Sequence, residues 1–143
     1  MTLKEQLMED MKNAMRAHET LKLDVIRMIR SEVKNFEIDN GEANDEAVQK
    51  IIKTMVKQQK DALQDFERAV RQDLIDETQA KITVFASYLP IELTDTELEQ
   101  MIAEVLSSAN TKDFGPLMGQ VMKKVGNKAD GNRVTTFLKK ALA

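Results

Sequence analysis

Apolar residues recur with the period of an α-helix along most of the chain. The apolar face of the first predicted helix consists of Leu3, Leu7, Met11 and Met15. Thr2 and Glu5 match a capping box, because their side chains can satisfy the free N–H groups at the start of a helix. A second helix is predicted from about residue 20 to residue 39, and Gly41 follows its end as a typical stop signal.

The next two helices are predicted over residues 44–69 and 72–87. Asn44 or Asp45 can cap the third helix. The fourth helix contains a β-prone run, residues 82–85, but its apolar positions keep the helical period and no partner strand exists elsewhere in the sequence. The pattern therefore favours helix at this position as well.

Pro90 interrupts the helical pattern, and we place a domain boundary there because proline ends a helix. Three shorter helices follow. Their predicted starts are marked by Thr94 with Glu97 as a second capping box, by Pro116 and by Asp130. Gly126 marks the end of the middle helix. The predicted fold is all-α: a four-helix N-terminal domain over residues 1–90, a short Pro-containing hinge, and a three-helix C-terminal domain over residues 91–143.

The composition narrows the functional classes. The chain has 143 residues, 42% of them hydrophobic and 31% charged, and it contains no cysteine. Disulfides, thiolate nucleophiles and cysteine-ligated metals are therefore excluded. No apolar run approaches the roughly 18 residues that cross a bilayer, and the charged first residues do not resemble a signal peptide. These features predict a soluble cytoplasmic protein without membrane association.

The net charge of −3 conceals an uneven distribution. Residues 110–143 carry a net charge of +5, which leaves −8 for residues 1–109. The cations of this tail are Lys112, Lys123, Lys124, Lys128, Arg133, Lys139 and Lys140. A basic end on an acidic body indicates a charged partner, because local potential matters more than net charge.

Two further basic rows lie on predicted helices of the N-terminal part. Residues 27, 30 and 34 form one row, and Lys50, Lys53, Lys57 and Lys60 form the other. Such rows can follow a phosphate backbone. They are also typical of solvated helix faces, and rows without aromatic stacking platforms are weakly specific for nucleic acid.

No group of residues indicates catalysis. His18 is the only histidine and has no partner at a metal-binding spacing, so a structural role is favoured. Asp61 and Asp65 lie beside basic residues on one predicted helix, which favours solvated ion pairs over acid–base catalysis. Gly115 and Gly119 share a helix face and indicate close packing of a neighbouring helix. We expect no catalytic residue, no metal site and no cofactor.

Several runs of the sequence resemble the YqeY family of small bacterial proteins. They are residues 25–28 with 34–38, 57–61 with 66–67, 88–94, 113–119, and Lys128-Ala129-Asp130-Gly131-Asn132-Arg133-Val134. The resemblance covers essentially the whole length and rests on the order and spacing of the runs together. It implies four N-terminal and three C-terminal helices. It also implies kinship with the tail of the B subunit of the glutamine-dependent aspartyl/glutamyl-tRNA amidotransferase.

In that enzyme the tail is a helical appendage that contacts tRNA, while ammonia production and kinase chemistry belong to other domains and subunits. The resemblance therefore implies a non-catalytic module that binds tRNA or associates with a tRNA-dependent amidotransferase. The family label of carbon–nitrogen ligase with glutamine as amido donor would describe kinship rather than an activity of this chain. The predicted nucleic-acid contacts are Lys123, Lys124, Lys128, Arg133, Lys139 and Lys140. The alternative is a helical protein–protein adaptor with no nucleic-acid role.

The chain departs from the family pattern at two points. Val70 stands where the family often has glycine, so a less tight turn between the third and fourth helices is expected. The approach to the last helix reads Gly126-Asn127-Lys128 rather than the commoner Lys-Gly-Arg order, which shifts one positive charge.

Overall fold

The computed structural model describes all 143 residues, and its regular elements are helical. The α-helices are α1 (Leu3–Arg16), α2 (Thr20–Asn40), α3 (Asp45–Arg68), α4 (Gln72–Ala86), α5 (Asp95–Ser108), α6 (Phe114–Val125) and α7 (Gly131–Leu142), with a 3₁₀ turn at Gly126–Lys128. There are no strands, so the all-α prediction is confirmed, including at the β-prone run inside α4. None of the helices has the length and hydropathy needed to span a lipid bilayer.

The starts of three helices follow from their capping residues. The Thr2 hydroxyl accepts from the Glu5 N–H before α1, and Thr94 does the same with Glu97 before α5. In both cases the glutamate side chain accepts in return from the N–H of the capping residue, so both predicted capping boxes are confirmed. Asn44 caps α3 through its side-chain oxygen.

Two helices are followed by a residue other than glycine that adopts the left-handed backbone conformation. His18 follows α1 with φ of 56°, and Val70 follows α3 with φ of 52°. The N–H of Val70 donates to the Glu67 carbonyl at 3.1 Å. The N–H of Arg71 donates to the Phe66 carbonyl, also at 3.1 Å, which completes a Schellman motif. The expectation of a looser turn is wrong, because the backbone adopts the glycine-type conformation despite the branched side chain.

Residues Met1–Leu89 form one compact unit, here called unit 1, which contains α1 to α4. Helix α1 packs along α2, and α3 packs along α4. The largest fully buried side chains of its core are Leu7, Ile26, Ile29, Ile52 and Phe85. The core is therefore mainly aliphatic, with one buried phenyl ring contributed by α4.

Two carboxylates join the elements of unit 1. Glu37 on α2 accepts from the Lys4 ammonium at 2.6 Å and from the Ala43 N–H at 2.8 Å, so it connects α1, α2 and the loop before α3. These two donors hold the pKa of Glu37 below its usual range. Asp10 on α1 accepts at 2.6 Å from the hydroxyl of Tyr88, which follows α4. Burial and this bond raise the pKa of Tyr88.

Residues Pro90–Ala143 form the other compact unit, unit 2, in which α5, α6 and α7 surround a separate core. The largest fully buried side chains of that core are Leu98, Ile102, Leu117, Val121 and Leu138. The predicted domains, 1–90 and 91–143 with a hinge at Pro90, stay a prediction, since compact packing does not by itself establish independent folding.

Candidate nucleic-acid interface

All six cations predicted to contact nucleic acid lie on α6, on α7 or in the turn between them. Lys123 and Lys124 are in the last turn of α6, Lys128 is in the 3₁₀ turn, Arg133 is in the first turn of α7, and Lys139 and Lys140 are in its last turn. Their surroundings divide them into two side chains that form ion pairs within unit 2 and four that form none.

Arg133 connects two helices of unit 2. Its guanidinium donates to the Leu93 carbonyl at 2.7 Å and to the Asp95 carboxylate at 2.5 Å, both at the start of α5. The same group lies 5.7 Å from the centre of the Phe137 ring, and only 26% of the side chain is exposed. The N–H of Leu93 donates to the Lys128 carbonyl at 2.8 Å and strengthens the same junction. Arg133 can reach a phosphate only by giving up these contacts.

Lys124 is also engaged, although less firmly. Its ammonium forms an ion pair with the Glu104 carboxylate, so it links α6 to α5. Both side chains are exposed. Exposed pairs of this kind contribute only about 0–1 kcal/mol to stability. A phosphate can therefore compete with Glu104 for this lysine at little cost to the fold.

The other four predicted cations are exposed on the surface of unit 2 and take part in no ion pair. They are Lys123, Lys128, Lys139 and Lys140. Lys123 points away from the core because Leu117, Val121 and Val125 occupy the buried face of α6. These ammonium groups can approach a polyanion without breaking a contact with a carboxylate.

Charge is polarised across unit 2. The unit contains seven basic and seven acidic residues, so its formal net charge is zero. All the basic residues follow residue 110, whereas five of the acids lie in or just before α5. They are Glu92, Asp95, Glu97, Glu99 and Glu104. A neutral unit with a basic α6–α7 side and an acidic α5 side attracts an anionic partner to one side only.

Two aromatic rings lie beside predicted cations, which the sequence did not reveal. The Lys139 ammonium is 5.9 Å from the centre of the Phe114 ring, and Arg133 lies over Phe137. The members of the first pair are far apart in the chain and meet only because α6 and α7 pack together. The tail therefore has aromatic surface next to its cations, contrary to the expectation of basic rows alone.

The basic rows of unit 1 are engaged at their middle positions, whereas Arg27, Lys34, Lys50 and Lys60 are exposed. Arg30, in the middle of the row on α2, is partly buried and donates to the Met11 sulfur at 3.0 Å. On α3, Lys53 and Lys57 have intramolecular partners. Asp65 forms an exposed ion pair with Arg68 on the same helix, in agreement with the solvated interpretation of these acids. Unit 2 is the better candidate for a nucleic-acid interface because its cations are separated along the chain from five of its seven acids, whereas the basic rows of unit 1 lie among the acids of α2 and α3.

The expectation of close helix packing at Gly115 and Gly119 is wrong. A Cβ atom built on either glycine would meet no atom within 4 Å. The neighbouring helices pack against the opposite face of α6, which carries Leu117 and Val121. The glycine face of α6 is therefore open, and it continues to Lys123 at the helical spacing of four residues.

Comparisons with known proteins agree with the resemblance in the sequence. The family model for Yqey-like proteins matches residues 4–142. Three fungal relatives are named altered inheritance of mitochondria protein 41, mitochondrial. The one from Clavispora lusitaniae is 28% identical over 121 residues, which cover 82% of this chain and 71% of the relative.

The other two relatives are similarly distant. The protein from Vanderwaltozyma polyspora is 30% identical over 138 residues, covering 90% of this chain and 70% of its own length. The protein from Lachancea thermotolerans is 29% identical over 128 residues, covering 86% of this chain and 68% of its own.

These names overturn two expectations. The predicted cytoplasmic location and the expected bacterial character are wrong, since the relatives are mitochondrial proteins of fungi. The physical reason is that the absence of cysteine argues only against an oxidising compartment. That absence does not distinguish one reducing compartment from another, and the resemblance in the sequence is shared by proteins of more than one origin.

Proposed function

The chain belongs to the YqeY-like family, and from this premise we propose that it is a non-catalytic helical module that binds tRNA through the α6–α7 side of unit 2. The observation that carries the proposal is the set of four exposed cations there, Lys123, Lys128, Lys139 and Lys140, which take part in no ion pair. The acids of the same unit are concentrated on α5 and leave this side positive.

Binding would rest on neutralising phosphates and releasing their counterions. Each phosphate neutralised steepens the dependence of log affinity on log salt by about 0.7 to 0.9. Four exposed lysines support a slope of about −3 on this basis. Recognition would follow the shape and backbone of the RNA, because α6 and α7 contain no base-reading motif and folded RNA helices expose mainly phosphates and 2′-hydroxyls.

The two compact units would be two domains, residues 1–90 and 91–143, joined by a hinge at Pro90. The chain would act beside the subunits of a glutamine-dependent tRNA amidotransferase, so carbon–nitrogen ligase chemistry would belong to those subunits. The support for this association is the family kinship seen in the sequence runs around residues 113–119 and 128–134.

A second candidate function, a protein–protein adaptor, is favoured by one observation. An open groove between α5 and α7 is lined by Ile102, Leu106 and Phe137, with Glu99 and Lys140 also at its wall. An amphipathic helix of a partner could place its apolar face in such a groove. This function requires no nucleic acid and predicts an association that survives nuclease treatment.

The test is a titration of labelled tRNA with the purified protein, followed by fluorescence anisotropy over a salt series. The informative variant is Lys123→Glu with Lys128→Glu, because neither side chain has a carboxylate partner to lose. We expect affinity at low salt to fall at least tenfold and the salt slope to decrease by about 2. A control with the same charge change is Lys12→Glu with Lys60→Glu, on exposed positions of unit 1, which should have a smaller effect.

Equal losses in the two double variants would contradict the assignment of the interface to unit 2. Absence of tRNA binding at low salt would contradict the function itself. In that case, a partner that co-purifies after nuclease treatment and is lost on mutation of the α5–α7 groove would support the adaptor function.

A further inference from the structure

We propose that Phe114 and Lys139 form a stacking site for an unpaired nucleotide base, next to the phosphate contacts of the same surface. The inference rests on the proposed RNA-binding function and extends it, because phosphate contacts alone do not distinguish a paired from an unpaired strand. The ligand class is a single-stranded segment of RNA, such as a loop or an end, whose bases are free to leave their stack.

Phe114 is an aromatic ring on the surface rather than part of the core. Its residue is 36% exposed, and it is the one aromatic among the exposed large apolar residues. It belongs neither to the core of unit 2 nor to the apolar side chains packed against that core. The next residue, Gly115, has open space around the position of a Cβ atom. A planar ligand that approaches from this side meets open space at Gly115, and it displaces the Lys139 ammonium if it stacks on the face of the ring that this group covers.

Lys139 supplies the charge that an RNA strand needs at such a ring. Its ammonium lies 5.9 Å from the ring centre and takes part in no ion pair. A base that stacks on Phe114 brings a phosphate with it, and the lysine can move from the ring to that phosphate. Aromatic side chains combined with basic ones are the usual means by which proteins bind unpaired strands.

The other aromatic–cation pair of unit 2 has a different environment. Phe137 packs against the core, and Arg133 beside it donates to Leu93 and Asp95. Arg133 is available only if it breaks contacts that join α5 to α7, and Phe137 is partly buried, with its free surface in the α5–α7 groove. Only the pair at Phe114 combines an exposed ring with a cation that has no carboxylate partner.

The experiment uses Phe114→Trp in the full chain. The natural sequence has no tryptophan, so the new side chain is the only indole and reports on its own surroundings. The probes are a short single-stranded oligoadenylate and a blunt RNA duplex with the same number of phosphates. We expect the single strand to quench the indole fluorescence and the duplex to have little effect. Ile91→Trp, on a residue of unit 2 that is 91% exposed, is the matched control and should not respond to either probe.

A second variant tests the contribution of the ring to affinity. Phe114→Leu retains an apolar side chain but removes the stacking surface, and the exposure of the site makes normal folding the expected result, checked by circular dichroism. Affinity for oligoadenylate should fall about fivefold or more, as expected for the loss of one stacked base. Affinity for the duplex should stay unchanged, because its phosphate contacts are intact.

The outcomes separate this inference from the proposed function. Salt-dependent tRNA binding with an indole at position 114 that responds to no RNA would overturn the stacking site and leave the phosphate-binding function in place. The stacking site would also be overturned if the duplex and the single strand quenched the indole equally. The same holds if Phe114→Leu bound oligoadenylate with the affinity of the natural protein. Absence of binding to every RNA probe at low salt would overturn both.

Discussion

Units 1 and 2 use their charged side chains in opposite ways. In unit 1 the charged groups that join the elements are acceptors. Glu37 accepts hydrogen bonds from α1 and from the loop before α3, and Asp10 accepts one from the hydroxyl of Tyr88. In unit 2 the central group is a donor, Arg133, whose guanidinium joins α7 to the start of α5. A basic residue in the tail is therefore not automatically a surface cation, and only the contacts across helices show which of them are available.

The units also differ in the residues that adopt positive φ at helix ends. In unit 1, α2 ends on Gly41, but α1 and α3 end on His18 and Val70, which adopt positive φ despite their side chains. In unit 2, α6 ends on Gly126, which has φ of 56° and no side chain to strain. Histidine tolerates this conformation better than a β-branched residue does. The turn at Val70 is the place where unit 1 stores the most local strain of this kind.

The largest expected effects concern the separate cores. Leu138→Ala in unit 2 and Ile52→Ala in unit 1 each remove a fully buried side chain. We expect each substitution to lower the free energy of unfolding of its own unit by about 2–5 kcal/mol. Native-state hydrogen exchange measures this directly, because the amides of each unit report their own opening.

If the units are domains, the amides of unit 1 keep their protection in Leu138→Ala, and those of unit 2 keep theirs in Ile52→Ala. A uniform loss of protection along the whole chain in either variant would mean that the units unfold together. That result would rule out the proposed division at Pro90.

The next largest effect distinguishes a cation of unit 2 that stabilises the fold from one that is free to bind a ligand. Arg133→Gln removes a charged donor from the Leu93 carbonyl and should lower the free energy of unfolding by about 2 kcal/mol. Lys123→Gln should change it by less than about 0.5 kcal/mol, as is usual for exposed positions without specific contacts. Urea denaturation of both variants measures the difference.

The tRNA affinities of the same two variants provide the complementary test. Lys123→Gln should weaken tRNA binding without changing the free energy of unfolding. The main effect of Arg133→Gln should instead be a lower free energy of unfolding. Equal stability of the two variants would contradict the structural assignment of Arg133.

Helix positions could be predicted from this sequence because they depend on local patterns. The capping boxes at Thr2 and Thr94 and the stop at Gly126 lie within a few residues of the ends they define. The left-handed turn at Val70 could not be predicted, because a β-branched residue is disfavoured in that conformation and nothing nearby compensates in an obvious way.

The candidate interface could be predicted only in part for a related reason. The excess of lysine and arginine after residue 110 is visible in the sequence. The engagement of Arg133 with Leu93 and Asp95, and the meeting of Phe114 with Lys139, depend on tertiary packing. The predicted location was wrong for a different reason, since the absence of cysteine on which it rested does not distinguish one reducing compartment from another.

The smallest expected effects come from the turns, where the two units should respond in opposite directions to exchanges involving glycine. Val70→Gly relieves a left-handed backbone that costs an L residue about 1–2 kcal/mol. The greater freedom of glycine in the unfolded chain offsets about 0.4–1 kcal/mol of this gain. The net result should be a stabilisation of unit 1 by up to about 1 kcal/mol, measured as a higher urea midpoint with an unchanged slope.

Gly126→Ala should destabilise unit 2 by about 1 kcal/mol, because no atom blocks the new methyl group and only the positive φ opposes it. His18→Gly is the control for the first exchange and should gain less than Val70→Gly, since histidine is the better tolerated residue at positive φ. A loss of stability in Val70→Gly would mean that the exposed valine contributes contacts worth more than the strain of its backbone.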